Sequence, residues 1–204
     1  MKKEAIVRRN ASQDRAKVTV EKCIDACREL MIASGYERLT MSEIARSAGI
    51  SMGTLYQYFG DRSALLEVLL DRHNAAVGIG LEEALDDVDD IDDLIVRMTA
   101  VSESYFDLHE HDRFVQALWT GVQGDDRLQL IDIEDTRRKA TRAAKLSRRA
   151  HRGVDAQLLT TRWFMILQST LYAARLAALS PPEDRRQMRL TYQYMAAAAL
   201  RLLH

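Results

Sequence analysis

Leu39-Thr40-Met41-Ser42-Glu43-Ile44-Ala45-Arg46-Ser47-Ala48-Gly49-Ile50-Ser51-Met52-Gly53-Thr54-Leu55-Tyr56-Gln57-Tyr58-Phe59 is the stretch on which the reading of this chain turns. Thr40 stands three residues before Glu43, the spacing of a capping box, in which each side chain satisfies an orphan backbone N–H of the other. A helix therefore begins at Thr40 with Met41, Ile44, Ala45 and Ala48 facing inward, and Gly49 supplies the positive-φ residue that ends it. Ser51 caps a second short helix whose inward side chains, Leu55 and Phe59, lie one turn apart. Two short helices joined by a glycine turn make a helix-turn-helix, the unit whose second helix enters the major groove of DNA.

With Leu55 and Phe59 turned in, Met52, Gly53, Thr54, Gln57 and Tyr58 fall on or near the outward side. Gln57 has the amide geometry for an adenine edge, Met52 and the Thr54 methyl suit a thymine methyl, and Gly53 permits close backbone approach. Thr40, Thr54, Tyr56, Tyr58 and Arg62 bring hydroxyls or charge suited to phosphate oxygens, and the helix starts at Thr40 and Ser51 add free N–H groups. The DNA-facing set is thus Thr40, Ser51, Met52, Gly53, Thr54, Tyr56, Gln57, Tyr58 and Arg62. A helical hairpin serving only as core leaves this outward polar and aromatic set unexplained.

Outward from this stretch the chain reads as helix throughout. Residues 16–34 repeat Ala16, Val20, Cys23, Ile24, Cys27, Leu30 and Met31 as one apolar stripe, with Gly35 as the stop. Further helices are expected from Ser63, bent or broken near Gly78 and Gly80, and over 91–108, 113–119, 127–151 (closed by Gly153), 155–179 and 183–203. Asp155 and Pro182-Glu183-Asp184 carry helix-start chemistry. The fold class is all-α with about nine helices, divided into a flexible basic arm (1–15), a three-helix DNA-binding domain (16–70) and a C-terminal helical domain (71–204).

Composition agrees. The chain has 204 residues, 47% hydrophobic and 29% charged, a balance suited to a soluble globular protein rather than a disordered or membrane one. No apolar run is long enough to span a bilayer, and Met1-Lys2-Lys3-Glu4 does not open a signal peptide, so a cytoplasmic protein is expected. The net charge of −1 is uneven: residues 1–62 hold eleven Lys/Arg against eight Asp/Glu. An acidic run over 82–93 and a basic run over 137–152 read as solvated helix faces. Two cysteines, Cys23 and Cys27, exclude a disulfide framework and read as small apolar packing.

The 155–179 segment is apolar all round, with Trp163, Phe164, Leu167 and Leu171 on one half and Leu158, Met165, Tyr172, Leu176 and Leu179 on the other. Such a helix must be covered twice. The last helix adds Tyr192, Met195, Ala196, Ala199 and Leu203 on one side. A homodimer interface is expected over Leu158, Met165, Tyr172, Leu176, Tyr192, Met195 and Ala199.

The run Gly35…Leu39-Thr40…Ile44-Ala45…Ala48-Gly49-Ile50-Ser51…Gly53-Thr54-Leu55-Tyr56-Gln57-Tyr58-Phe59…Arg62…Leu65-Leu66 resembles the DNA-binding domain of the tetracycline-repressor (TetR) family of bacterial transcriptional regulators, over about residues 16–70. The family pattern usually has lysine where Arg62 stands; the charge is kept. The resemblance implies an all-helical homodimer in which helices one to three bind a palindromic DNA operator, a fourth connects, and the last two form the dimer interface. It also implies a C-terminal cavity whose small-molecule effector lowers operator affinity, with repression rather than activation as the outcome.

Candidate walls of that cavity are Met98, Val101, Tyr105, Phe106, Phe114, Trp119, Trp163, Leu167 and Leu171, which suit an apolar or aromatic occupant. Half-sites one DNA turn apart, ~34–36 Å, would make affinity depend on the separation of the two recognition helices. Asp107-Leu108-His109-Glu110-His111-Asp112 holds metal-capable groups without the spacing of a ligand set, so no metal site is assigned. No catalytic residue and no cofactor is expected. The competing class is an all-helical enzyme with an unrecognised active site, for which no nucleophile is nominated.

Overall fold

The computed structural model describes the backbone of residues 2–201 and the side chains of residues 14–201. Among the described residues there are nine α-helices and no strand: α1 (Lys2–Ser34), α2 (Met41–Ser47), α3 (Met52–Tyr58), α4 (Arg62–Leu85), α5 (Ile91–His111), α6 (Arg113–Gln123), α7 (Asp126–Leu146), α8 (Ala156–Leu179) and α9 (Pro182–Arg201). A 3-10 turn over Tyr36–Arg38 joins α1 to α2. The basic arm expected over 1–15 falls almost wholly on residues 1–13, outside the described side chains.

The chain forms two compact units, one of residues 1–71 with 117–125, the other of 72–116 with 126–204. The end of α6, expected in the C-terminal domain, therefore belongs with the N-terminal helices. Gly121 gives the physical reason. A Cβ there would collide with Leu66 Cδ2 and come within 3.0 Å of the Tyr36 ring, so only glycine lets α6 seat on α4 and the 3-10 turn. Cys23, Ile24, Cys27, Met31, Leu39, Ile44, Leu55, Leu65, Leu66 and Leu70 are buried in the N-terminal unit. Burial pushes the Cys27 thiol up to about 12, which leaves it a packing group.

Two helix expectations are corrected. α4 runs unbroken through Gly78 and Gly80, because a helical glycine costs only about 1 kcal/mol and neighbouring Leu81 and Leu85 are held in the core. α7 ends at Leu146 instead of continuing to 151. The Ser147 hydroxyl donates to Ala143 O at 2.8 Å, and the chain then turns through Gly153, at φ 83°.

In the second unit α8 packs against α5, α7 and α9. Its inward side is Leu159, Trp163, Ile166, Thr170, Leu171, Ala174 and Ala177. The acidic and basic runs meet each other: Arg142 pairs with Glu82 at 3.1 Å and Arg149 with Asp89 at 3.1 Å. These exposed pairs contribute little to stability, ~0–1 kcal/mol each.

Candidate nucleic-acid interface

The helix-turn-helix is set by its caps. Glu43 N–H donates to Thr40 Oγ1 at 3.2 Å and the Thr40 hydroxyl donates to the Glu43 carboxylate at 2.9 Å. The carboxylate thus meets the hydroxyl and not the Thr40 backbone N–H, because the hydroxyl acts as acceptor and donor at once. Gly49 ends α2 at φ 67°. Thr54 N–H donates to Ser51 Oγ at 3.0 Å, and the two hydroxyls lie 2.8 Å apart. Both capping side chains sit outside the core, so they orient α2 and α3 without occupying apolar volume.

Leu55 and Phe59 are buried, which turns the opposite side of α3 outward. Met52, Gly53, Tyr56, Gln57 and Tyr58 are exposed, with Tyr56, at 52%, more open than Tyr58. Thr40 and Ser51 are also exposed, and Thr54 is half-buried. Arg62 departs from the expectation of a surface charge reaching for phosphate. Its Nη1 donates to Leu39 O at 3.3 Å and its guanidinium lies 4.5 Å from the centre of the Tyr36 ring. That contact ties the start of α4 to the chain just ahead of α2. Asp61 adds a cap that sequence reading missed, accepting from Ala64 N–H at 2.8 Å.

The second unit contains a cavity enclosing about 830 Å3 of empty space, its mouth included. Met98, Val101, Tyr105, Leu167 and Leu171 line it, while Phe106, Phe114, Trp119 and Trp163 do not. Phe106 is buried against Tyr192, ring centres 5.7 Å apart. Phe114 is buried away from the cavity, and Trp119 belongs to the N-terminal unit. Trp163 sits in the core with its indole N–H donating to Ser147 Oγ at 2.9 Å. Sequence reading missed the polar wall: Asp132, Thr136 and Lys139 recur at four and three residues along one side of α7, opposite Asn74 of α4. That spacing was the available signal, hidden because Lys139 lies within a run of cations that otherwise face solvent.

Leu158, Met165, Tyr172, Leu176 and Met195 are exposed, at 46–65%. Leu179, on the same side of α8, reaches 82%. Tyr192 is corrected: it is buried, its hydroxyl donating to Ile166 O at 3.1 Å and bonded to Thr170, because α9 directs it between α5 and α8. Ala199 is half-buried on the core of its own unit. In the 107–112 segment, Asp107 and Glu110 bind Arg189, Glu110 also binds Arg185, and Asp112 caps α6. Burial holds His73 and His109 neutral, each lowered to about 4, with Lys139 acting on the first and Arg175 on the second in the same direction.

Residues 24–69 match the family model of bacterial regulatory proteins of the tetR family. Mb2274c, an HTH-type transcriptional regulator of Mycobacterium bovis, is 31% identical over 169 residues, covering 80% of this chain and 85% of that protein. The chain belongs to the TetR family. It is therefore a helix-turn-helix, DNA-binding transcriptional regulator, and α2 and α3 are its helix-turn-helix. The TetR fold extends to the C-terminal unit. SmeT, the repressor of the Stenotrophomonas maltophilia multidrug efflux pump SmeDEF, superposes with a TM-score of 0.66 at 20% identity, covering 88% of this chain and 89% of that one. RolR, in complex with resorcinol, superposes at 0.67 and 21% identity, covering 94% and 95%. No helix among the described residues of this TetR-family chain is long and apolar enough to cross a membrane.

Proposed function

We propose that the protein is a ligand-responsive repressor that binds a palindromic operator as a homodimer in the cytoplasm. The observation that carries the DNA half is the outward side of α3: Gly53 and Gln57 are exposed while Leu55 and Phe59 are buried. Gln57, with Met52 and Thr54, reads base edges. Thr40, Ser51, Tyr56 and Tyr58 hold phosphates, and Arg62, committed to Leu39 O and Tyr36, positions the motif more than it binds.

Support for the dimer comes from the exposed apolar side of α8 with Met195 of α9, a patch of the kind that a soluble monomer rarely leaves open. The C-terminal cavity, with its mostly apolar wall and a few polar groups, supports an effector site. The continuous helix α4 carries Leu65 and Leu66 of the N-terminal core and Asn74, Val77 and Leu81 of the cavity wall. A ligand that favours one arrangement of the dimer over another shifts operator affinity by that difference in binding. The similarity to transcriptional regulators favours this reading over the all-helical enzyme.

Operator selection from a pool of random duplexes tests it. Gln57→Ala is expected to relax preference at one base-pair position in each half-site, at a cost of about 1–3 kcal/mol on the preferred sequence. Tyr56→Phe is expected to weaken all sequences alike. Uniform loss from Gln57→Ala would remove it from base reading.

A further inference from the structure

We propose that the effector cavity takes a small organic monocation, an apolar body bearing a protonated amine whose N–H groups bind the Asp132 carboxylate. This rests on the reading of the cavity as a ligand site and adds the chemical class of its occupant.

Most polar groups in the wall are already spent. The hydroxyl of Thr99 donates to Ile95 O and that of Ser102 to Thr99 O, both at 2.8 Å. Thr170 and Tyr192 bond each other and Ile166 O, and Gln193 donates to Glu103. Asp132 is different. It is 6% exposed, and the partner of its carboxylate is a neutral amide, Asn74 Nδ2, at 3.3 Å. One turn further along α7, Thr136 is 8% exposed and lines the same wall with its hydroxyl uncommitted.

The charges then decide the ligand. Lys139, the cation in the wall, is held by Asp135 at 2.5 Å and donates to Asn74 Oδ1 at 3.3 Å. Asp135 is also paired with the exposed Arg138 at 3.0 Å, so both nearby cations are bonded to Asp135 and neither is bonded to the buried Asp132 carboxylate. Arg175 acts on Tyr105 and Tyr172 and is not part of the wall; His73 and His109 stay neutral near pH 7. Burial raises the Asp132 pKa, although the Asn74 hydrogen bond and the Lys139 charge pull it the other way. An anionic ligand sets a second negative charge against Asp132, a neutral ligand brings no counter-charge, and a monocation pairs with the carboxylate through a charge-assisted hydrogen bond. The Thr136 hydroxyl can accept a second N–H of the same ammonium.

Calorimetric titration of the full chain at pH 7.5 with 3-phenylpropylamine, 3-phenylpropan-1-ol and 3-phenylpropanoate holds the apolar body fixed and changes only the charge. The amine is expected to bind about tenfold or more tightly than the alcohol, and the carboxylate weakest. Asp132→Asn, which keeps the shape, is expected to bring the amine to within about twofold of the alcohol and leave the alcohol unchanged. Equal or tighter binding of the alcohol or carboxylate, an amine preference that survives Asp132→Asn, or no binding by any of the three overturns the proposal. Should the variant fail to fold, the ranking of the three probes on the wild-type protein decides. A DNA retardation assay with the same probes separates the two readings: amine binding that releases no DNA keeps the ligand class and sinks the effector role, whereas release by the carboxylate alone does the reverse.

Discussion

Tyr172→Glu together with Leu176→Glu is expected to yield a folded monomer whose affinity for operator DNA is ~100-fold or more below wild type. Both side chains are 59% exposed on α8, on the side shared by Leu158, Met165 and Leu179. In a two-fold symmetric pair each new carboxylate appears twice within an apolar patch, so the interface is hit from both sides. Within the monomer the same substitutions remove no core contact, so stability of the folded chain changes little. The DNA effect is larger than the local change because a monomer holds one half-site where the dimer holds two. Light scattering on the eluting protein and a DNA titration check both halves. A dimer that persists with full affinity would exclude this side of α8 as the interface. Tyr192, expected from sequence to serve here, is the wrong residue for this test: a charge there enters the core of α5, α8 and α9.

Leu55→Ala is expected to destabilise the N-terminal unit by about 3 kcal/mol and to abolish specific DNA binding at physiological temperature. Leu55 is fully buried, and removing three carbons from it leaves a void in a unit with few large side chains to spare. Gln57, two residues on, is exposed, so Gln57→Ala is expected to leave the melting curve within about 0.5 kcal/mol of wild type. Thermal unfolding followed by circular dichroism distinguishes the pair. Equal losses from the two substitutions would mean that α3 is rotated from the orientation described, and its outward face would no longer be the one assigned to DNA.

The helix-turn-helix was legible because its signals are local. Thr40, Gly49 and Ser51 act within one turn of themselves, and the Leu55–Phe59 spacing reports helix orientation directly. The split of α8 into a covered and an open side was legible too, since Leu158, Met165, Tyr172, Leu176 and Leu179 share one stripe. What sequence could not give was tertiary direction. Phe106 and Trp163 have the composition of cavity walls, yet Tyr192 and Ser147, distant in sequence, draw them into the core. Trp119 was assigned to the wrong unit because the need for glycine at 121 appears only when Tyr36 and Leu66 are beside it. Lys139 lies inside the basic run that reads as solvent-facing surface, Asp132 lies outside both charge runs, and only Asn74, more than fifty residues away, marks them as inward.

That α3 reads the major groove in two symmetric copies is tested most directly by methylation interference on a selected operator bound by the full chain. Dimethyl sulfate marks guanine N7 in the major groove and adenine N3 in the minor groove. The expected result is interference at guanine N7 in two inverted half-sites, with the base-pair position nearest Gln57 relaxed alike in both half-sites by Gln57→Ala. Interference confined to adenine N3, or to one half-site with no symmetric counterpart, would contradict it.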